Sequence, residues 1–599
     1  MNGINKVLEQ FHKGNLEDAA SLAENLLHKN PSNQERIGLL SILGSIHAIQ
    51  KEFDKAKEKF QIILDIDDTN IDAHYNLAKV LTSMDNNDLA LDCYEKILKL
   101  KNDHAPSYNN MGFIYEGLNN YEKAIEYFSK AIKLKSDYII AINNLANVYF
   151  LQGDYLNSIK QYQKSLLMES DNPETYIKLG IVLEKSGRLD EAKRCHEQAL
   201  LIDPKNIAAY SHLGLFYEKI EQYQTAIKQY KKALKLDSQN PNVYTNLGNS
   251  YRKMGDYTLA MQHDLKALAI NPAHANAHGN LSVSLLKTGD IKNGWEHYEY
   301  RNGIDYKYLD SINSSIPDII KNTPRWNGEP IKTGLLIWPE QGIGDLVMYA
   351  KLFTFLPKKK KIIVCLDDRL INLFERSFSK LTFIKQSTYQ KDLDSTKSLA
   401  FDYQIPIGSL AKLYLPSYNI LNNLEDFYLF SDKEKTNGIR KKLKKNNELI
   451  IGISWRTTNK ESSKKRNIPL SLLAQGLNHE QIKLVNLQYG DVSSEISLLK
   501  KNDKISVTQV DSIDIYNDID SFSSLIDACD LVVSIDNSTV HLAGSLGKKT
   551  FVLLPKVSDW RWMLKENFTP WYKSLKLFRQ DTDNNWTEVI NKISDEVRK

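Results

Sequence analysis

The stretch GFIYEGLNNYEKAIEYF, residues 112–128, holds three marks that recur along the first half of the chain. Gly112 opens it, Ala124 follows twelve residues later, and Phe128 four residues after that. The small residue returns with a 34-residue period as Gly44, Ala78, Gly112, Ala146, Gly180, Gly214, Gly248 and Ser282. The second column reads Ala56, Ala90, Ala124, Ser158, Ala192, Ala226 and Ala260, and the third Phe60, Tyr94, Phe128, Tyr162, His196 and Tyr230. Pro204 and Pro272 fall near unit ends, and GNLEDAASLAENLLHKNP (14–31) matches the second half of a degenerate first unit. A fixed period of this length marks stacked helix pairs. Two small residues let the helices of a pair approach, the large side chain fills the gap beside them, and each unit covers its apolar face against the next.

Seven consecutive units of this kind resemble the tetratricopeptide repeat (TPR). The resemblance implies an α-solenoid, a right-handed superhelix whose concave surface takes proteins or peptides. Two residues before the small position stand Asn76, Asn110, Asn144, Asn246 and Asn280, with Lys178 and His212 interrupting the column. An asparagine amide offers both donor and acceptor to a peptide backbone, and the column is similar to the asparagine ladder of protein O-GlcNAc transferase. The competing reading is that asparagine is simply common at this place in such repeats.

Composition narrows the rest. The 599 residues are 42% hydrophobic and 25% charged, normal for a folded globular chain. With 78 Lys+Arg against 74 Asp+Glu the net charge is only +4, which excludes a nucleic-acid footprint. Cys93, Cys195, Cys365 and Cys529 lie far apart, without CxxC or Cys/His metal spacing, so we expect a reducing setting with neither disulfides nor a bound metal. The N-terminus lacks an apolar signal core and no apolar run reaches the ~20 residues of a membrane helix. The expectation is a cytoplasmic chain without a membrane span, with association at a membrane surface left open.

After Gly294 the pattern changes. Residues 1–300 form the expected repeat array, closed by a capping helix near 291–301, and a polar linker follows over 302–325. Short apolar runs then alternate with helical patterns. Gly334–Trp338, Lys361–Leu366, Leu381–Ile384 and Tyr403–Ile405 form one series of strands. Leu449–Trp455, Ile482–Gln488, Ile505–Val510, Leu531–Ile535 and Thr550–Leu554 form a second, and the charged helical stretch Ser431–Asn447 separates the two. Continuous apolar runs between helices predict parallel sheets buried on both faces. The expected fold is therefore an α-solenoid followed by an α/β domain of two Rossmann-like lobes, 326–430 and 445–599, with a cleft at the carboxyl ends of the strands.

Three strand-end loops gather polar chemistry. In WPEQGIGD (338–345), Gln341, Gly342 and Gly344 shape a turn toward an acceptor, and Asp345 is either a general base or a plain helix cap. In the segment opened by Asp536, Asn537, Ser538, Thr539 and His541, a helix start with free N–H groups offers an anion site. The basic loop SWRTTNKESSKKRNIPL (454–470) carries Thr457, Thr458, Arg456 and Arg466 for a diphosphate. Gln488, at a strand end, is a candidate nucleoside contact, and Trp560 and Trp562 either line the cleft or pack in the core. DLD at 392–394 and DID at 518–520 fall away from strand ends and are not read as metal sites.

These loops resemble glycosyltransferase family 9, the ADP-heptose:lipopolysaccharide heptosyltransferases, above all in D-x-x-x-x-H-L-A-G-x-L-G-K from Asp536 to Lys548. The resemblance implies catalysis by Asp345, a donor-phosphate site from Asp536 through His541, and a diphosphate contact at Arg466, three residues before Pro469. Here Arg466 stands for a lysine, and Asn537-Ser538 for a Thr-Gly pair. A resemblance covering nearly the whole chain is to bacterial TPR proteins with a C-terminal family 9-like domain. It rests on Trp326-Asn327-Gly328-Glu329, Glu340–Asp345, Gly452–Trp455, Leu487-Gln488 and Pro570–Gln580. The resemblances imply a GT-B glycosyltransferase, metal-independent and inverting, that uses a nucleotide-diphosphate sugar as co-substrate, needs no cofactor, and takes a protein or glycan acceptor. The alternative is a non-catalytic TPR scaffold with a degenerate transferase-like part.

Overall fold

The computed structural model describes residues 2–302, 318–340, 342–388, 400–444, 448–457, 460–582 and 585–598. They divide into two compact units, Met1–Ser238 and Gln239–Lys599. Among its described residues, the first unit is fourteen helices, from Asn2–His12 to Tyr223–Leu236, paired in sequence.

The sequence columns explain the pairing. Ala56, Ala90, Ala124, Ala192 and Ala226 have no exposed surface. A Cβ built on Gly44 would stand 2.7 Å from Phe60 and one on Gly112 would stand 2.8 Å from Phe128, so the small column exists to seat the large one. Ser158, the polar member of its column, donates to the Ala146 carbonyl at 2.7 Å. A further periodicity appears only in the backbone. Lys51, Asp85, Asn119, Gly153, Gly187 and Glu221 all adopt positive φ at the turn inside each helix pair. Two of these six are glycine; the rest accept a left-handed conformation because the helices on either side fix the turn.

The second unit opens with the helices Pro241–Lys253, Tyr257–Ile270, Ala275–Thr288 and Ile291–Tyr298. Two parallel sheets follow. The first is ordered β3-β2-β1-β4, with β1 Leu335–Trp338, β2 Ile362–Leu366, β3 Thr382–Lys385 and β4 Tyr403–Pro406. The second is ordered β10-β9-β8-β5-β6-β7, with β5 Leu449–Ser454, β6 Ile482–Asn486, β7 Val507–Thr508, β8 Leu531–Ile535, β9 Thr550–Leu554 and β10 Leu575–Arg579. Every residue of β1, β2, β8 and β9 is buried, as a sheet covered on both faces requires. The helix Lys433–Leu443 lies within the charged stretch expected to separate the lobes. β10 is absent from the sequence expectation because Lys576 and Arg579 interrupt its apolar run.

The compact boundary falls inside the repeats, 62 residues before the composition break at position 300, and the packing gives the reason. One continuous apolar cluster contains Leu286, Trp295 and Tyr298 from the last repeat helices, Leu346 and Tyr349 from the first lobe, and Val540, Trp560 and Trp571 from the second. The expected capping helix therefore turns its aromatic face onto the lobes: Trp295 meets Trp560 edge-on at 5.4 Å and Tyr298 bonds Tyr349 through their hydroxyls at 3.0 Å. Of the linker, residues 303–317 lie outside the described residues. Its end is structured, with helix Asp318–Asn322 and a parallel bridge from Arg325 to Gln404 beside β4.

Candidate functional site

Each sheet reverses its strand order at one place, and there the carboxyl ends of neighbouring strands leave a crevice. In the first sheet the reversal lies between β1 and β4, in the second between β5 and β8. The loop after β1 is tied to the loop after β4 by Glu340, which accepts from Gly408 N at 2.9 Å and from Arg301 Nε at 2.9 Å. Arg301 comes from the turn that ends the last repeat helix and also bonds Ser409 at 3.0 Å. Glu340 is thereby spent on holding the loop.

Helix Ile343–Ala350 starts at this loop and carries Asp345 in its first turn. Gly342 is its N-cap and has open space around it. Gly344 is constrained by contact: a Cβ there would stand 2.9 Å from His541 Cδ2, so the absence of a side chain lets the first lobe approach the helix Ser538–Ser545 of the second. Gln341 lies outside the described residues, as does Thr458.

Asp345 is ion-paired with Arg561 across the two lobes. The second arm of the same guanidinium, Nη1, lies 2.7 Å from Asp559 Oδ1. Burial pushes the Asp345 carboxyl above its ordinary range, and Arg561 opposes that. For Asp559 burial acts in the same direction, but Arg561 and Arg466 outweigh it and hold the acid low. Asp345 is thus neither a plain cap nor a free carboxylate.

On the other side of the crevice, Arg466 Nη1 lies 3.2 Å from Asp536 Oδ2. Asp536 is almost fully buried, and burial raises its pKa against the pull of Arg466. Asn537 caps the following helix: its Oδ1 accepts from Thr539 N at 3.0 Å, and its Nδ2 donates to Ser454 Oγ at 2.8 Å, tying the end of β8 to the end of β5. Ser538 is partly exposed at the helix start, while the Thr539 hydroxyl is buried with no partner. His541 bonds the Tyr572 hydroxyl at 3.0 Å. Burial, with Arg561 second, drops its pKa to about 3, so it is a neutral imidazole at any physiological pH.

Two of the expected contacts have partners within the second lobe. Gln488 is completely buried, with Oε1 accepting from Ser454 Oγ, Trp455 N and Arg456 N at 3.0, 2.9 and 2.8 Å, and Nε2 donating to Tyr489 O at 3.1 Å. Its Oε1 is thereby spent on shaping the loop after β5, and one N–H of Nε2 on Tyr489. The Arg456 side chain binds Glu495 at 3.0 Å and Asp491 O at 2.7 Å. Asp520 of the DID triplet pairs with Arg376 and Lys435, and Asp518 caps a helix; the DLD triplet lies outside the described residues.

Sequence reading passes over Asp559 and Arg561. They sit between and beside Trp560 and Trp562, both buried in the core. Their segment is pinned from two sides. Lys287 of helix Ala275–Thr288 donates to Ser558 Oγ at 3.0 Å and Asp559 O at 2.9 Å. Arg579, at the end of β10, donates to Ser558 Oγ at 2.6 Å and to the Trp562 carbonyl. The available signal was position: SDWRW follows the strand β9 at its carboxyl end, as the other site loops follow theirs.

The asparagine column divides likewise. Asn110 Nδ2 donates to the hydroxyls of Tyr75 and Tyr94 at 3.1 and 3.0 Å, Asn144 Nδ2 to Asn109 at 3.0 Å, and Asn280 Oδ1 accepts from Arg252 at 3.0 Å. These three spend part of their amides inside the array. Asn76 and Asn246 are half-buried. Among the described residues no group of three or more His, Cys, Asp or Glu side chains has the arrangement of a metal site, and no helix is long and apolar enough to cross a membrane.

Comparison with known proteins places the repeats. Residues 71–104, 105–138, 137–205 and 241–274 match tetratricopeptide-repeat families, and residues 219–255 match a TPR-repeat family. Protein FlbA of Caulobacter vibrioides is 27% identical over 322 residues, 51% of this chain and 52% of FlbA, so the chain spans about half the length of this curated relative. Among solved structures, YrrB, described as a TPR protein with an unusual peptide-binding site, is 22% identical over 31% of this chain and 95% of its own, with a TM-score of 0.25. A TPR protein from Parabacteroides merdae is 20% identical over 42% of this chain and 97% of its own, with a TM-score of 0.36. The Cut9–Hcn1 hetero-tetramer of the APC/C is 20% identical over 49% of this chain and 57% of its own, with a TM-score of 0.33. The chain carries a solenoid of tetratricopeptide repeats followed by an α/β part with two parallel sheets.

Proposed function

We propose that the repeats take a protein segment and that the α/β part is a metal-independent, inverting glycosyltransferase of GT-B type, related to family 9. The observation that carries this reading is the meeting of Asp345, Arg561, Asp559, Asp536, Arg466 and His541 at the carboxyl ends of β1, β5, β8 and β9. A nucleotide-diphosphate sugar would lie on the second lobe, its phosphates at the helix start Ser538 and the two arginines. Guanidinium groups and helix N–H groups neutralise a departing diphosphate without a metal. Asp345 would receive the proton of the acceptor hydroxyl. His541, neutral and bonded to Tyr572, would fix the lobe contact at Gly344.

The second reading is a TPR scaffold whose α/β part has no turnover. Two observations favour it. The family matches reach the repeats only, and Asp345 is engaged by Arg561. The comparisons support this scaffold reading more directly than the transferase.

The test is a thermal-shift and turnover screen of the full chain against UDP-, GDP- and ADP-sugars in EDTA. Stabilisation by one class, with slow release of its diphosphate, is expected of a transferase. No stabilisation by any donor leaves the scaffold.

A further inference from the structure

Arg561 is held by two carboxylates at once, Asp345 from the first lobe and Asp559 from its own. Its Nε is buried without a partner. Arg466 in turn is engaged by Asp536. Three carboxylates thus face two guanidinium groups, and the imidazole beside them is neutral. A polyanion that reaches either guanidinium must take it from an acid already there.

The same place holds polar atoms with nothing to bond. The Thr539 hydroxyl and the Arg561 Nε are buried and unpartnered. Trp562 follows Arg561 directly, and its ring lies 5.3 Å from that of His541, which shares a helix with Thr539. Orphaned donors inside a protein cost free energy until something accepts from them, and phosphate oxygens are acceptors. Of the carboxylates on Arg561, Asp559 is its sequence neighbour and also accepts from the Arg561 backbone N–H at 3.1 Å. Asp345 belongs to the other lobe and is the partner that can be given up.

Resting on the transferase reading, we propose that Arg561 exchanges partners: the diphosphate of the donor takes its guanidinium from Asp345, and the released carboxylate is then the base. A carboxylate paired with arginine is a poor proton acceptor, because the pair stabilises its ionised form. Losing the arginine while a dianion arrives nearby reverses that. The acceptor O–H proton then passes to Asp345, the acceptor oxygen bonds the anomeric carbon, and the bond from that carbon to the phosphate oxygen breaks, its electron pair leaving with the nucleoside diphosphate. The donor therefore binds first, and the base is quenched until it does.

The experiment titrates UDP, GDP and ADP in EDTA into four full-length proteins: wild type, Asp345→Asn, Arg561→Gln and the double variant. Asp345→Asn is expected to bind the preferred diphosphate about tenfold more tightly than wild type, since no ion pair has to be broken, and Arg561→Gln at least about tenfold more weakly. In the Arg561→Gln background the Asp345 substitution should change nothing, because the gain passes through the guanidinium. Should Asp345→Asn fail to fold by circular dichroism, Asp345→Ser takes its place with the same expectation. If the Asp345 variants bind no more tightly than wild type, or tighten binding without Arg561, the exchange is wrong while the transferase reading stands. If neither wild type nor the Asp345 variants bind any of the three, both fall.

Discussion

The ammonium of Lys287, on a repeat helix, donates to the backbone carbonyl of Asp559 at 2.9 Å. A side chain of the solenoid thereby fixes the loop that presents Arg561 to Asp345. Lys287 is only 2% exposed, and burial, with Arg579 second, lowers its pKa to about 7. Asp559, Asp536 and Glu566 act in the opposite direction. The unfolded chain therefore holds more protons than the folded one between about pH 7 and 10.5, and stability contributed here rises with pH across that window. Lys287→Met should flatten the rise in melting temperature between pH 7 and 9.5. A variant that melts with the wild-type pH slope would show that the ammonium is not the titrating group.

Asp264 should give the opposite slope. It occupies the place where earlier repeats put Phe60 or Tyr230, it is completely buried, and neither carboxyl oxygen has a hydrogen-bond partner. Burial raises its pKa to about 8, against a smaller pull from Arg252. Above its ordinary pKa the folded chain must hold this proton or bury a charge, so stability falls from about pH 4 to 8. Asp264→Asn should remove that fall and stabilise the second unit at pH 8 by on the order of a few kcal/mol. Equal melting of variant and wild type at pH 5 and pH 8 would refute it.

Gly344→Ala should destabilise, although Ala is the better helix former. The new methyl would stand 2.9 Å from His541 Cδ2, and that ring is held by Tyr572 and packed on Trp562. Overpacking of this kind costs about 1–3 kcal/mol. His541→Ala in the same chain should recover most of the loss, and denaturant titration reads both. A Gly344→Ala protein as stable as wild type would mean that the lobes can separate at this point.

Gln488→Leu separates a structural role from a ligand contact. Removing Oε1 leaves the Trp455 and Arg456 N–H groups without their acceptor, at about 1–3 kcal/mol each. The expected result is a drop of several degrees in melting temperature even without any nucleotide. A variant that melts normally but binds nucleotide less well would return Gln488 to the ligand.

What could be read from the chain follows the scale of the cause. The repeats were legible because successive units restate the same contact, small residue against large ring, six times. Nine strands were legible because a sheet covered on both faces leaves an uninterrupted apolar run. β10 was not, since Lys576 and Arg579 break its run, and Arg579 is there to hold Ser558. Asp345, Arg466 and His541 stood out as polar residues just past strands or at a helix start. Arg561 did not, because two core tryptophans flank it and its partners lie 216 and 2 positions away in sequence. Gln488 is ambiguous for the complementary reason. A strand-end amide looks the same in sequence whether it serves a ligand or three backbone and hydroxyl donors of its own lobe.

The apolar cluster that runs from Leu286 and Trp295 through both lobes also bears on how such a chain can change length over generations. Duplication or loss of a 34-residue unit before Ser238 replaces one stacking surface by an equivalent one and leaves Lys287, Trp295 and Arg301 in the chain. The same event after Gln239 would remove Lys287, Trp295 or Arg301, and with them the supports of the Asp559 and Glu340 loops. Array length is free to drift at one end only. The last repeats are part of the α/β fold's own core, and their number is fixed by what that core needs.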